Sequence, residues 1–200
     1  MRHNIKRNKG FTYVELIVVL SIFAVLSAVA IFNYNKFQGK VDIKNLSSDI
    51  ALKLVQAQKA AVSGTVSTLT FTGNNKPSYG VYFNATTPTK FLYFADLDNS
   101  NSCDTSGCVA PNYTIGGEVL SIYNTTKGNK ISSLVINGTS CPAISDMTIV
   151  FKRPASTAMF NSTTPLAGCT ITDVVINIVS QDGTNTAMIE VYPSGRIQIN

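Results

Sequence analysis

Charge is what this 200-residue sequence has least of: Asp, Glu, Lys and Arg make up only 14% of it. Asn, Ser and Thr supply most of the remaining polarity, the neutral surface common on exported proteins. A nucleic-acid binder carries a dense Lys/Arg face instead. The formal charge of +5 misleads, because Arg2, Lys6, Arg7 and Lys9 all fall in the first ten residues with no acid among them. Setting those four cations aside from the sixteen leaves twelve against eleven acids, so the rest of the chain offers polyanions no general attraction. The single histidine, His3, lies in the same opening stretch, which denies the body a His-based triad. No phosphate-binding glycine loop occurs. Asp96 and Asp98 are paired acids, but nothing in the sequence marks a pocket around them. The expectation is a protein that is not an enzyme.

Two further absences shape the N-terminal half. No proline occurs between Met1 and Lys76, and neither Lys nor Arg occurs from Phe11 to Asn35. Leu16 to Phe32 is apolar except for Ser21 and Ser27. A helix needs about 20 such residues to cross a hydrocarbon core of roughly 30 Å. The opening cations should stay cytoplasmic and the C-terminal body should lie outside. An ordinary secretory signal ends in a small-residue cleavage site, and Ala28 and Ala30 are candidates for one. Glu15 argues against that reading. An acid at bilayer depth costs roughly 2.5–3.5 kcal/mol on insertion scales and needs a partner. Cutting after Gly10 creates an α-amino group on Phe11, and in a bundle of such helices Glu15 of one copy meets that amine on a neighbour.

The string Lys9-Gly10-Phe11-Thr12-Tyr13-Val14-Glu15-Leu16, behind a short basic leader and ahead of an apolar helix, resembles the cleavage and methylation signature of type IV prepilins and type II secretion pseudopilins. Tyr13 stands where that family most often has Leu. The resemblance covers about the first 40 residues. It implies cleavage between Gly10 and Phe11 by a prepilin peptidase, N-methylation of Phe11, and a role for Glu15 in assembly. The implied partners are other pilin or pseudopilin subunits and a platform protein in the cytoplasmic membrane. A separate ATPase drives assembly. The location is a single-pass span with the body outside, then an extracellular pilus or pseudopilus. The alternative within the family is a tip-located minor subunit that binds a surface, an exported substrate or DNA; the near-neutral body weakens the DNA version.

Beyond the apolar run, Ile43, Leu46, Ile50, Leu54, Ala57 and Ala61 step by 3, 4, 4, 3 and 4, which marks one buried helical face. Asp49 and Lys53 form a favourable i,i+4 pair, and Ser63-Gly64 ends the pattern. Asn33, Asn35 and Gly39 are weak helix formers that loosen the junction. The predicted division is 1–10 leader, 11–35 membrane or filament-core helix, 36–64 amphipathic continuation and 65–200 β-rich body. In that body the β-like runs are Val66–Phe71, Tyr79–Phe83, Phe91–Phe94, Val119–Tyr123, Ile131–Ile136, Met147–Phe151, Val174–Val179, Ala187–Tyr192 and Ile197–Ile199. Asp182-Gly183 and Pro193-Ser194-Gly195 are turn signals. The expectation is an α+β fold, a long helix packed on a mainly antiparallel sheet. A final Gly195-Arg196-Ile197 strand is similar in pattern to the GspH/FimT group of minor pseudopilins and pilins.

The four cysteines, Cys103, Cys108, Cys141 and Cys169, all follow the apolar segment, and an even count in an exported domain favours disulfides. Of three pairings, Cys103–Cys108 with Cys141–Cys169 is preferred because the first pair is close in sequence. The loop from Ala95 to Asp104 is rich in hard oxygen donors. Asp96, Asp98, Ser100 and Asp104 are candidate calcium ligands, although an EF-hand would want Gly at Asn101 and Glu at Gly107. No other cofactor is expected.

Overall fold

The computed structural model of the chain describes residues 10–65 and 77–200, with backbone alone at 32, 33, 35 and 36. The leader residues before Gly10 and the expected strand Val66–Phe71 lie outside the described residues. The elements are α1 (Tyr13–Ser63), β1 (Ser78–Asn84), β2 (Lys90–Asp96), β3 (Val119–Asn124), β4 (Lys130–Thr139), β5 (Asp146–Phe151), β6 (Ala158–Asn161), β7 (Thr170–Val179), β8 (Thr186–Val191) and β9 (Ile197–Ile199). A short 3₁₀ turn, Ser106–Cys108, interrupts the long loop between β2 and β3. The chain divides into two compact units, 1–40 and 41–200.

The first unit contains the apolar part of α1. Every large side chain described from Phe11 to Ile31 is exposed, and Tyr13–Ile31 is long and apolar enough to cross a membrane. Asn33, Asn35 and Gly39 do not end the helix.

In the second unit the predicted stripe is the buried one: Ile43, Leu46, Ile50, Leu54, Ala57 and Ala61 are all in the core. Gly64 ends the helix at φ 62°, with its N–H donating to Ala61 and that of Thr65 to Ala60. This pair of reversed bonds satisfies two terminal carbonyls, and only a residue free to take positive φ closes it without strain. Lys53 does not pair with Asp49. Its ammonium lies 4.4 Å from the Tyr123 ring centroid and donates to Gln56, because a half-buried lysine gains more over an aromatic face than from an exposed acid one turn back. The ion pair seen among the described residues is Lys127 with Asp42, at 2.6 Å, which ties the β3–β4 turn to the helix.

The strands form two antiparallel sheets rather than one. The first has the order β3-β2-β1-β5-β6 and the second β4-β7-β8-β9. Side chains from both sheets join the helical stripe in one core, among them Val81, Phe83, Phe91, Ile149 and Phe151 from the first and Leu134, Ile136, Ile176, Ile178 and Ile189 from the second. The first sheet is buried on its other face too. There Tyr82, Leu92, Phe94 and Val150 pack with Cys103, Cys108 and Val119 under the β2–β3 loop. Burial on both faces explains why β1, β2 and β5 read as unbroken apolar runs instead of alternating ones. A bulge between Ile131 and Ser133 resets β4, so its inward residues are Ile131, Leu134 and Ile136. Strand β6 is the element the sequence analysis did not single out: four residues, on a sheet edge, paired with β5 through Ile149 and Phe160.

Disulfides join Cys103 to Cys108 and Cys141 to Cys169, and no cysteine is free. The first closes the loop over the outer face of the first sheet. The second staples the end of β4 to the start of β7.

The two turn signals bound β8. Gly183, at φ 73°, lies in the β7–β8 turn with open space around it. Gly195, at φ 84°, has no such space: a Cβ there would run into the Ser156 carbonyl, and Gln58 Nε2 donates to both Ser156 and Gly195 at 3.0 Å. Gly183→Ala should therefore cost about 1–2 kcal/mol, the left-handed penalty alone. Gly195→Ala should cost clearly more, because backbone must shift and the Gln58 clamp breaks. Thermal unfolding of the two variants side by side checks the order; equal losses would contradict it.

Candidate functional site

The N-terminal site begins at Gly10. A side chain there would meet no described atom within 4 Å, and φ is not positive, so neither packing nor strain among the described residues calls for glycine. Phe11 is 85% exposed. Thr12 then caps the helix. Its hydroxyl accepts the Glu15 N–H at 3.3 Å, while Glu15 Oε2 accepts the Thr12 N–H and hydroxyl, each at 3.4 Å. This is a reciprocal capping box, Thr-x-x-Glu, and it satisfies amide groups that the first helical turn leaves open. A carboxylate in the first turn is also favoured by the helix dipole. Thr12 was legible as a cap from its spacing to Glu15, a signal that reading the segment for hydropathy alone passes over.

Past Glu15 nothing compensates charge. It is the sole charged residue from Phe11 to Asn35. Ser21 turns its hydroxyl onto the Val18 carbonyl at 2.8 Å, so its polarity is spent inside the helix. Tyr13–Ile31 spans 19 residues, about 28 Å at 1.5 Å per residue, the thickness of a bilayer core. Monomeric soluble proteins rarely expose an apolar surface of this extent.

The donor-rich loop makes a second arrangement. A bulge at Tyr93/Phe94 shifts the β2–β3 register, and the Ala95 N–H donates to the Glu118 carbonyl at 3.0 Å, carrying the pairing one residue beyond β3. This brings Glu118 beside Asp96, and both are buried, at 1% and 0% exposure. Asp96, Asp98 and Glu118 each place a carboxylate oxygen within 4.8 Å of the others. Of the expected ligands, Asp96 and Asp98 meet here, while Asp104 is exposed and outside the trio and the Ser100 hydroxyl turns to the Ser102 carbonyl. Glu118 was missed because it lies more than a dozen residues past the loop's acids. Its only signal was an acid next to the start of a strand.

Burial pushes the Asp96 carboxyl up to about 6, with the Asn101 N–H opposing and neighbouring Asp98 adding to the rise. Burial likewise lifts Glu118 to about 7, against the Leu97 N–H that its Oε1 accepts at 2.9 Å. Asp98 is held low by the Ser100 N–H. Cys103 and Cys108 also approach Glu118, but as a disulfide they supply no thiolate ligand.

Comparison with known proteins agrees with the N-terminal geometry. Residues 5–31 match the family described as the Prokaryotic N-terminal methylation motif. Two curated relatives from Pseudomonas aeruginosa, each named Fimbrial protein, are 30% identical over 59 residues, which is 30% of this chain. The match spans 38% of the length of each relative. No solved structure matches the chain. The N-terminal segment thus carries a methylation motif, and the structure displays the apolar helix of that motif exposed.

Replacing Thr12 with Val removes the cap and should cost about 1 kcal/mol at the helix start. Amide exchange at Tyr13 to Glu15, followed in detergent micelles, should accelerate about fivefold for that loss. Unchanged protection would show that the box contributes nothing.

Proposed function

We propose that the chain is a minor structural subunit of a type IV pilus or type II secretion pseudopilus. Prepilin peptidase cuts it between Gly10 and Phe11, and Phe11 is N-methylated. The apolar helix holds it in the cytoplasmic membrane as a single span with the body outside, until the platform protein and its separate ATPase move it into a filament. The observation that carries this reading is the placement of Glu15. It is one carboxylate, one helical turn after the Gly10-Phe11 step, at the head of a helix that is exposed and apolar on every side.

The physical logic runs from cost to partner. Among the described residues of a single chain the Glu15 carboxylate has only Thr12 to meet it, at bonds on the long side. Cleavage supplies a positive charge at Phe11. Side by side in a helical bundle, one copy's carboxylate and the next copy's amine neutralise each other, and the apolar faces leave lipid together. Because an unpaired buried charge is strongly unfavourable, the pair fixes the axial stagger between subunits. The two disulfides suit an oxidising exterior.

Glu15→Ala should leave cleavage intact and lower the share of the protein recovered in sheared filaments at least tenfold, corresponding to a loss of about 1.4 kcal/mol. Immunoblots of filament and membrane fractions read both quantities. Wild-type recovery of the variant in filaments would refute the pairing role.

A further inference from the structure

The body begins soon after the apolar run ends. Its compact unit starts at residue 41, and the membrane-length run stops at Ile31. The ten steps from 31 to 41 reach no more than about 36 Å even when fully extended. Side chains around Val41 are therefore held close to any bilayer that the run crosses. Contacts within the body define which surface this is. Lys127 bonds Asp42 at 2.6 Å, so the β3–β4 turn lies beside the start of the amphipathic part of α1. The β1–β2 turn is laced to the same place: the Thr89 carbonyl accepts the Thr125 N–H and the Pro88 carbonyl accepts the Ile131 N–H, each at 2.8 Å.

Four lysines share this end: Lys44 on the helix, Lys90 at the start of β2, Lys127 in the β3–β4 turn and Lys130 at the start of β4. Lys127 is spent on Asp42. Lys44, Lys90 and Lys130 have no ion-pair partner among the described residues, and Lys44 and Lys130 are exposed. The nearby acids do not balance them. Asp146 is buried, and it receives the Thr163 N–H at 3.1 Å and the Ser162 hydroxyl at 3.2 Å. Asp182 is exposed in the β7–β8 turn, next to Gln181, whose side chain lies against Gly128. Its carboxylate is taken up by the hydroxyls of Ser180 and Thr184, at 2.5 and 2.6 Å. The chain beyond its first ten residues is nearly neutral, so this excess is a matter of placement and not of composition.

We propose that this end of the body docks on anionic lipid headgroups, with Lys44, Lys90 and Lys130 against their phosphates. The inference rests on the reading of Tyr13–Ile31 as a membrane span. Lysine suits the task, because its ammonium is a point charge on a flexible stem that follows a fluid array of phosphates. A basic patch beside a span is drawn to an anionic leaflet by about fivefold per lysine. The span has already brought this end within reach, so no separate encounter is needed. Docking holds the body at the leaflet until the chain leaves for a filament, and it makes anionic lipid a determinant of how readily the subunit is withdrawn.

The test uses the full chain in vesicles of phosphatidylcholine, alone or with about one-third phosphatidylglycerol, at about 0.01 M salt. Amide exchange across 85–90 and 125–131 should slow at least about fivefold in the anionic vesicles and return to the neutral-vesicle rate in about 1 M salt. Lys44→Gln combined with Lys130→Gln changes two exposed side chains and should remove most of that slowing. Lys152→Gln combined with Arg153→Gln, just past the opposite end of β5, should keep it. Inorganic phosphate added to neutral vesicles should slow nothing. Slowing by phosphate alone would assign the lysines to a free anion and overturn the proposal. Equal rates in the two kinds of vesicle would overturn it too, as would full slowing in the Lys44 and Lys130 variant or equal slowing at 152–157. A chain that does not float with neutral vesicles would refute the membrane span itself, and the docking with it.

Discussion

One carboxylate governs how the N-terminal half of this protein can exist. Glu15 sits at the head of a helix that carries no other charge from Phe11 to Asn35 and whose large side chains are exposed as far as Ile31. Water alone would tolerate the acid but not the helix; lipid would tolerate the helix but charges roughly 2.5–3.5 kcal/mol for the acid. The Thr12 cap eases that conflict by directing an N–H and a hydroxyl at the carboxylate, and it does so with a residue already needed to start the helix. A capping box neutralises no charge, however. Only a cation does, and from Phe11 onward the sequence provides no cationic side chain until Lys36. The proposal that a neighbour's N-terminus supplies it follows from this shortage.

The body solves a different problem with the opposite materials. Its core is built by one helical face meeting two antiparallel sheets, and its charges are few. Where acids are buried, the fold either surrounds them with donors, as at Asp146, or sets them together, as at Asp96 and Glu118. Disulfides secure two places where regular pairing ends, the β2–β3 loop and the open end of β4 and β7. A loop that covers a sheet face as fully as 97–118 does would otherwise lose conformational freedom without strand hydrogen bonds to offset the loss.

Features set by local periodicity were legible in the sequence. The stripe from Ile43 to Ala61 is readable because helical spacing recurs over five steps, and each of its members is buried. The turns at Gly183 and Gly195 are readable because positive φ needs glycine. Most strands are readable from β-branched and aromatic runs. Features set by tertiary contact were not legible. The split into two sheets depends on where the chain crosses between them, at 125–129, 140–145 and 162–169, and nothing in the run lengths marks those crossings. Strand β6 exists because β5 offers it an edge. Lys53 left Asp49 for Tyr123 because an aromatic from another element arrives above it. Glu118 joined Asp96 through a register shift that only strand pairing creates. Thr12 was the exception, a local signal overlooked because the segment's hydropathy dominates it.

The measurement that bears most directly on the central claim is the intact mass and N-terminal peptide of the chain purified from its own membranes. The account predicts that the mature protein starts at Phe11, and that its terminal residue carries one added methyl group. A chain that keeps Met1, or one trimmed beyond Ala30, would leave Glu15 without a neighbouring amine or remove it altogether, and would contradict the account.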